Sequence, residues 1–104
     1  MKLLDIAAVQ AVELSTAHIT QADSKCLERL AARYVMGEGE APYVFDSKHG
    51  FVIMIGAITV AKIKLSGISN ELASLLDAAL DEGLLIVAFD KDGNCHEELP
   101  SFDW

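Results

Sequence analysis

Residues 20–34 read Thr20-Gln21-Ala22-Asp23-Ser24-Lys25-Cys26-Leu27-Glu28-Arg29-Leu30-Ala31-Ala32-Arg33-Tyr34, and the period of this stretch decides the fold. Ala22, Cys26, Leu27, Leu30, Ala31 and Tyr34 recur at helical intervals, whereas Asp23, Lys25, Glu28, Arg29 and Arg33 fall on the outward side. Thr20 offers a hydroxyl to the free amides of the first turn, and Asp23 suits the positive end of the helix dipole. The helix is expected to stop near Gly37, with Gly37-Glu38-Gly39-Glu40 as a loop.

Working outward, Val9 to Ala17 reads as an extended segment, and Met1 to Gln10 is ambiguous between strand and short helix. After Pro42, Tyr43-Val44-Phe45 and Phe51 to Ile55 are strand formers. The stretch Asp46-Ser47-Lys48-His49-Gly50 between them has turn chemistry, which predicts an antiparallel hairpin. Because Phe51 to Ile55 is apolar on both faces, it belongs in the middle of a sheet. Ile58, Val60, Ile63 and Leu65 fit a third strand imperfectly. Ser69 is a second N-cap, followed by the stripe Leu72, Leu75, Leu76, Ala79 and Leu80, with Gly83 as terminator. Leu84 to Phe89 is another central strand, and Asp90-Lys91-Asp92-Gly93-Asn94 turns the chain into an acidic tail anchored by Leu99, Phe102 and Trp104. Two one-sided helices and several strands predict an α+β fold. We expect a two-layer sandwich with two helices on one face of a mostly antiparallel sheet, in the order β-α-β-β-(β)-α-β, nearest to a split β-α-β arrangement.

The chain has 104 residues, within the common size range of one domain, so a single domain spanning 1–104 is expected. A hydrophobic fraction of 52% excludes global disorder. The longest apolar run, Phe51 to Ala61, falls well short of the roughly 20 residues a membrane helix requires. No secretory signal is expected, and two cysteines, Cys26 and Cys95, make no disulfide framework, so reduced thiols and a cytoplasmic setting are expected. Cys26 reads as a small inward-facing hydrophobe.

Charge is distributed unevenly. Through Leu65 seven acids balance seven bases; from Ser66 onward nine acids face only Lys91, so the last third carries the whole net charge of −8. Clustered Lys and Arg, which displace counterions from phosphates, are lacking there, so direct nucleic-acid binding is not expected. An anionic membrane surface is disfavoured on the same ground.

Several groups of residues have side chains suited to metal binding or catalysis. Residues 90–94 resemble the opening of a calcium loop. Yet Cys95 stands where the loop needs Gly, and Ser101 where it needs a bidentate Glu, so a turn explains the segment better. His18, His49, His96, Cys26 and Cys95 show no zinc-ligand spacing, and no metal or cofactor is expected. Ser15 or Thr16 with His18 is the one candidate nucleophile–base pair, but no Gly-x-Ser-x-Gly elbow accompanies it. The expectation is therefore that the chain is not an enzyme.

Two segments carry a resemblance: Glu13-Leu14-Ser15-Thr16-Ala17-His18-Ile19-Thr20, and Phe89-Asp90-Lys91-Asp92-Gly93 with Leu99-Pro100-Ser101-Phe102-Asp103-Trp104. With His49-Gly50-Phe51-Val52 between them, they resemble a family of small uncharacterised proteins of bacterial plasmids, phages and other mobile elements. The resemblance implies a context in which small acidic proteins act as inhibitors of host defence, such as anti-CRISPR or anti-restriction proteins, some of which imitate DNA.

The expected function is binding. Glu71, Asp77, Asp81, Glu82, Asp92, Glu97 and Glu98 are the candidate contacts for a basic host protein or nucleoprotein complex, because a carboxylate row attracts cationic surfaces and speeds encounter. The alternative is a self-associating structural or antitoxin-like module, a homodimer joined through the apolar stretch Phe51 to Leu65.

Overall fold

The computed structural model describes Lys2 and residues 7–35 and 43–104, with the side chains of Tyr34 and Val35 excepted. The expected Gly37–Glu40 loop, Pro42 and most of the first six residues lie outside the described residues. Strand β1 (Ala11–Ser15) leads through a 3-10 turn (Thr16–His18) into helix α1 (Gln21–Val35). The hairpin β2 (Val44–Ser47) and β3 (Gly50–Met54) follows, then α2 (Ala57–Lys64), α3 (Asn70–Asp81) and β4 (Ile86–Asp90). The four strands lie in the order β1-β4-β3-β2. β4 is parallel to β1 and antiparallel to β3, and β3 is antiparallel to β2. It follows that β1 and β2, linked through α1, run parallel with β4 and β3 inserted between them, a split β-α-β unit. The sheet is mixed, with two of its three pairings antiparallel.

Local chemistry explains most boundaries. Thr20 caps α1, its Oγ1 accepting from Asp23 N at 3.0 Å. Ser69 caps α3, its Oγ accepting from Leu72 N at 3.2 Å. At the far end of α3, Gly83 N donates to Leu80 O and Leu84 N to Ala79 O, the paired bonds of a Schellman ending. The hairpin turn is tighter than its sequence suggests: only Lys48 and His49 lie outside the strands, and Gly50 pairs with both Ser47 and Asp90. A Cβ on Gly50 would stand 1.7 Å from the Phe89 carbonyl oxygen, so this crossing admits only glycine.

Register places Leu14, Phe89 and Phe51 in one row and Val87, Ile53 and Val44 in the next, all on the same face. These side chains form one core with Leu27 and Ala31 of α1, Val60 and Ile63 of α2, and Leu72, Leu76 and Ala79 of α3. All three helices therefore share one face of the sheet. On the other face Val52 and Ala88 are partly buried, while Phe45 and Met54 are exposed.

Two expectations require correction. Ile58 to Leu65 is not a third strand but helix α2, so the sheet carries three helices rather than two. Val60 and Ile63, three residues apart, are buried, while Ile58 and Leu65 of the supposed alternation are 72% and 88% exposed. Thr59 Oγ1, which donates to the Gly56 and Met54 carbonyls, ties the chain into this turn. The second correction concerns the first turn of α1: Ala22 is exposed, and Asp23, read as outward, is buried. Its carboxylate receives Ser69 N (2.8 Å) and Ser69 Oγ (2.5 Å), so an acid from one helix braces the cap of another.

Candidate functional site

The two segments at the ends of the chain that carry the resemblance meet in space. β4 ends in an Asx turn, with Asp92 N donating to Asp90 Oδ1 at 2.9 Å and Gly93 N to Asp90 O at 2.9 Å. That carboxylate oxygen is thus engaged in closing a turn, as expected of residues 90–94. Gly93 then passes so close to β1 that a Cβ would lie 2.4 Å from the Leu14 carbonyl oxygen. Asn94 bridges to Leu14, its carbonyl accepting from Ser15 N at 2.9 Å.

His18 locks the remainder of the tail. It is 2% exposed, and its Nδ1 lies 2.8 Å from the Pro100 carbonyl while its Nε2 lies 2.9 Å from His96 N. A carbonyl only accepts and an amide only donates, so the ring carries its proton on Nδ1 and presents a lone pair at Nε2. Phe102 N donates to Ala17 O at 2.8 Å, Trp104 Nε1 donates to Ile19 O at 2.9 Å, and Leu99 packs against the core. Residues 94–104 are thereby fixed at five places along the strand-to-helix junction. A shallow polar cleft of about 270 Å³ lies at this end, where Thr16, Ser24, His49, Gly50, Phe51 and Trp104 come together.

The same geometry bears on the Ser15–His18 pair. Ser15 Oγ accepts from Ala17 N at 3.0 Å, and both ring nitrogens of His18 are engaged by backbone of the tail. Neither side chain addresses the other, and each is occupied in shaping the junction.

The seven candidate carboxylates divide into groups. Glu71 lies in the first turn of α3; Asp77 lies in its middle and pairs with Lys64 at 3.0 Å. Asp81 ends α3 and Glu82 is its C-cap, both exposed. Asp92, in the turn after β4, and Glu97 and Glu98, in the pinned tail, are also exposed. Asp81 and Glu82 precede β4 and Asp92 follows it, so the five-residue strand separates the two groups by roughly 15 Å at about 3.3 Å per residue. Only Asp77 among the seven has an ion-pair partner among the described residues.

Sequence reading missed the Asp23–Ser69 brace and the reach of His18 across 78 and 82 positions to His96 and Pro100. A weak signal existed for the first, an acid at the third position of one helix and a Ser cap, Ser69, on another. Both cysteines are free, Cys26 buried and Cys95 exposed. No helix of the described residues is long and apolar enough to cross a membrane.

Residues 11–104 match a family model described as "Family of unknown function (DUF5983) C-terminal domain". No curated protein and no solved structure matches the chain.

Proposed function

We propose that this chain, which belongs to the family just described through residues 11–104, is a non-enzymatic, cytoplasmic binding protein of mobile-element type. It blocks a basic, nucleic-acid-binding surface of a host defence complex, in the manner of an anti-CRISPR or anti-restriction inhibitor. One observation carries this reading: Asp92, Glu97 and Glu98 are exposed, lack cationic partners among the described residues, and ride on backbone fixed by the Asp90 turn for Asp92 and by His18, Phe102 and Trp104 for the other two. Carboxylates already held in place lose little freedom on docking, and unpaired ones are not stripped from internal partners. Glu71, Asp81 and Glu82 extend the negative field along α3, and Asp77 shares its charge with Lys64. The partner is a protein or nucleoprotein rather than free nucleic acid or membrane, and the chain requires no cofactor.

The test is a pull-down from host lysate with wild-type protein and with E71Q/D81N/E82Q/D92N/E97Q/E98Q, followed by mass spectrometry and affinity measurement at several salt concentrations. A nucleic-acid-binding protein should be retained by wild type, released by salt and lost by the folded variant. Equal retention by both proteins would reject the proposal.

A second reading has its own observation. Ile58, Ala61 and Leu65 present an exposed apolar stripe on α2, at 72% and 88% exposure for the two large residues. Self-association through that stripe makes the chain a homodimeric module. Light scattering at several concentrations decides it, and a monomer throughout would remove this reading.

A further inference from the structure

The outer side of α1 carries the reverse of the chain's overall charge. Lys25, Arg29 and Arg33 stand at positions i, i+4 and i+8, all exposed, so they form one ridge along the helix. Like charges at this spacing repel and weaken the helix that carries them. None of the three has a carboxylate within ion-pair distance among the described residues, although the chain has twice as many acids as bases. Among the described residues the ridge therefore has no ion-pair partner, on a chain that has ample acid to supply one.

Beside the ridge lies a groove of about 390 Å³, bounded by Arg29, Arg33, Leu30, Ala32, Cys26 and Ser66. This volume falls in the range of about 300–1,000 Å³ typical of small-molecule sites. Its wall is largely apolar. At its base Ser66 Oγ donates to the Ile63 carbonyl, and Cys26 Sγ lies 3.3 Å from Ser66 Oγ, so these two groups satisfy each other and the backbone. Arg29 and Arg33 both border the groove, and neither guanidinium has an ion-pair or hydrogen-bond partner among the described residues. Planar forks of N–H groups one helical turn apart suit the oxygens of a carboxylate or phosphate.

We infer that the groove between α1 and Ser66 binds a small organic oxyanion. Its carboxylate or phosphate monoester is held by Arg29 and Arg33, and an apolar body lies along Leu30 on the Ser66 side of the ridge. The long-range field of a chain carrying −8 repels extended polyanions, so a compact ligand is favoured over nucleic acid. The groove does not depend on the acidic residues of the proposed docking surface, and either reading stands if the other fails.

The experiment is an NMR titration of the full chain with phenyl phosphate, octanoate and inorganic phosphate, repeated with R29Q/R33Q. Phenyl phosphate or octanoate should saturate and shift the amides of Cys26, Arg29, Leu30, Arg33 and Ser66, the better of the two revealing which head group is preferred. The double variant, whose changed side chains are exposed, should keep its fold and bind at least tenfold more weakly. Inorganic phosphate should bind at least fivefold more weakly than the better organic probe. The inference is overturned if neither organic probe saturates below 10 mM, if the shifts fall elsewhere, or if the variant binds within twofold of wild type. Inorganic phosphate binding as tightly as the organic probes would overturn the apolar body.

Discussion

Replacing His18 with Ala removes the one side chain that bonds the tail at two points. Each ring hydrogen bond contributes about 0.5–1.5 kcal/mol net, and both end on tail backbone, Pro100 O and His96 N. The imidazole is 2% exposed, so its truncation also leaves a void where packing was dense. Large-to-small changes at buried sites cost about 2–5 kcal/mol, and the lower part of that range fits a small ring at a surface-adjacent junction. Together these terms give a loss of about 3–5 kcal/mol, or a fall in Tm of roughly 15–25 °C for a chain of this size. Urea unfolding followed by circular dichroism measures the stability, and hydrogen exchange reports on the tail. The amides of His96 and Phe102 should lose protection, while those of β3 and β4 decline only with global stability. His49→Ala, on the exposed hairpin turn, serves as control and should change stability by less than about 0.5 kcal/mol. A loss below about 0.5 kcal/mol for His18→Ala, or unchanged exchange in residues 94–104, would refute the account of how the tail is held.

Other perturbations follow from the same packing. Gly50→Ala drives a Cβ into the Phe89 carbonyl and should cost more than about 3 kcal/mol in chemical denaturation, because strands β3 and β4 must part at a central pairing. Asp23→Ala strips two charge-assisted bonds from the α3 cap and should lower stability by about 3 kcal/mol, a loss that thermal unfolding would register. Ile58→Ser with Leu65→Ser touches only exposed side chains, so monomer stability should hold. If the chain self-associates, the same pair should abolish the dimer seen by light scattering.

The fold was legible wherever one local rule dominated. Helices α1 and α3 are visible in their stripes and hydroxyl caps, and the central position of β3 and β4 in their two-sided apolar runs. Residues 57–64 were not legible, because Ile58, Val60, Ile63 and Leu65 satisfy a period of two nearly as well as the i, i+3 pair that is buried. Burial, not pattern, resolves that ambiguity. Asp23 was misplaced for a related reason: a carboxylate reads as outward until the cap of another helix is brought against it. The parallel contact of β1 with β4 depends on residues 75 positions apart and leaves no local trace. For the site, the sequence showed the acidic bias of the last third, yet not its division about β4 or the His18 bonds that fix its tail.

The most direct test of the acidic surface is an NMR titration of the full chain with a nona-arginine peptide at low and high salt. The account predicts saturable, salt-sensitive shifts centred on Asp92, Glu97 and Glu98 and extending to Glu71, Asp81 and Glu82. No saturation at low salt, or shifts centred instead on Glu13, Glu28 and Asp46, would contradict it.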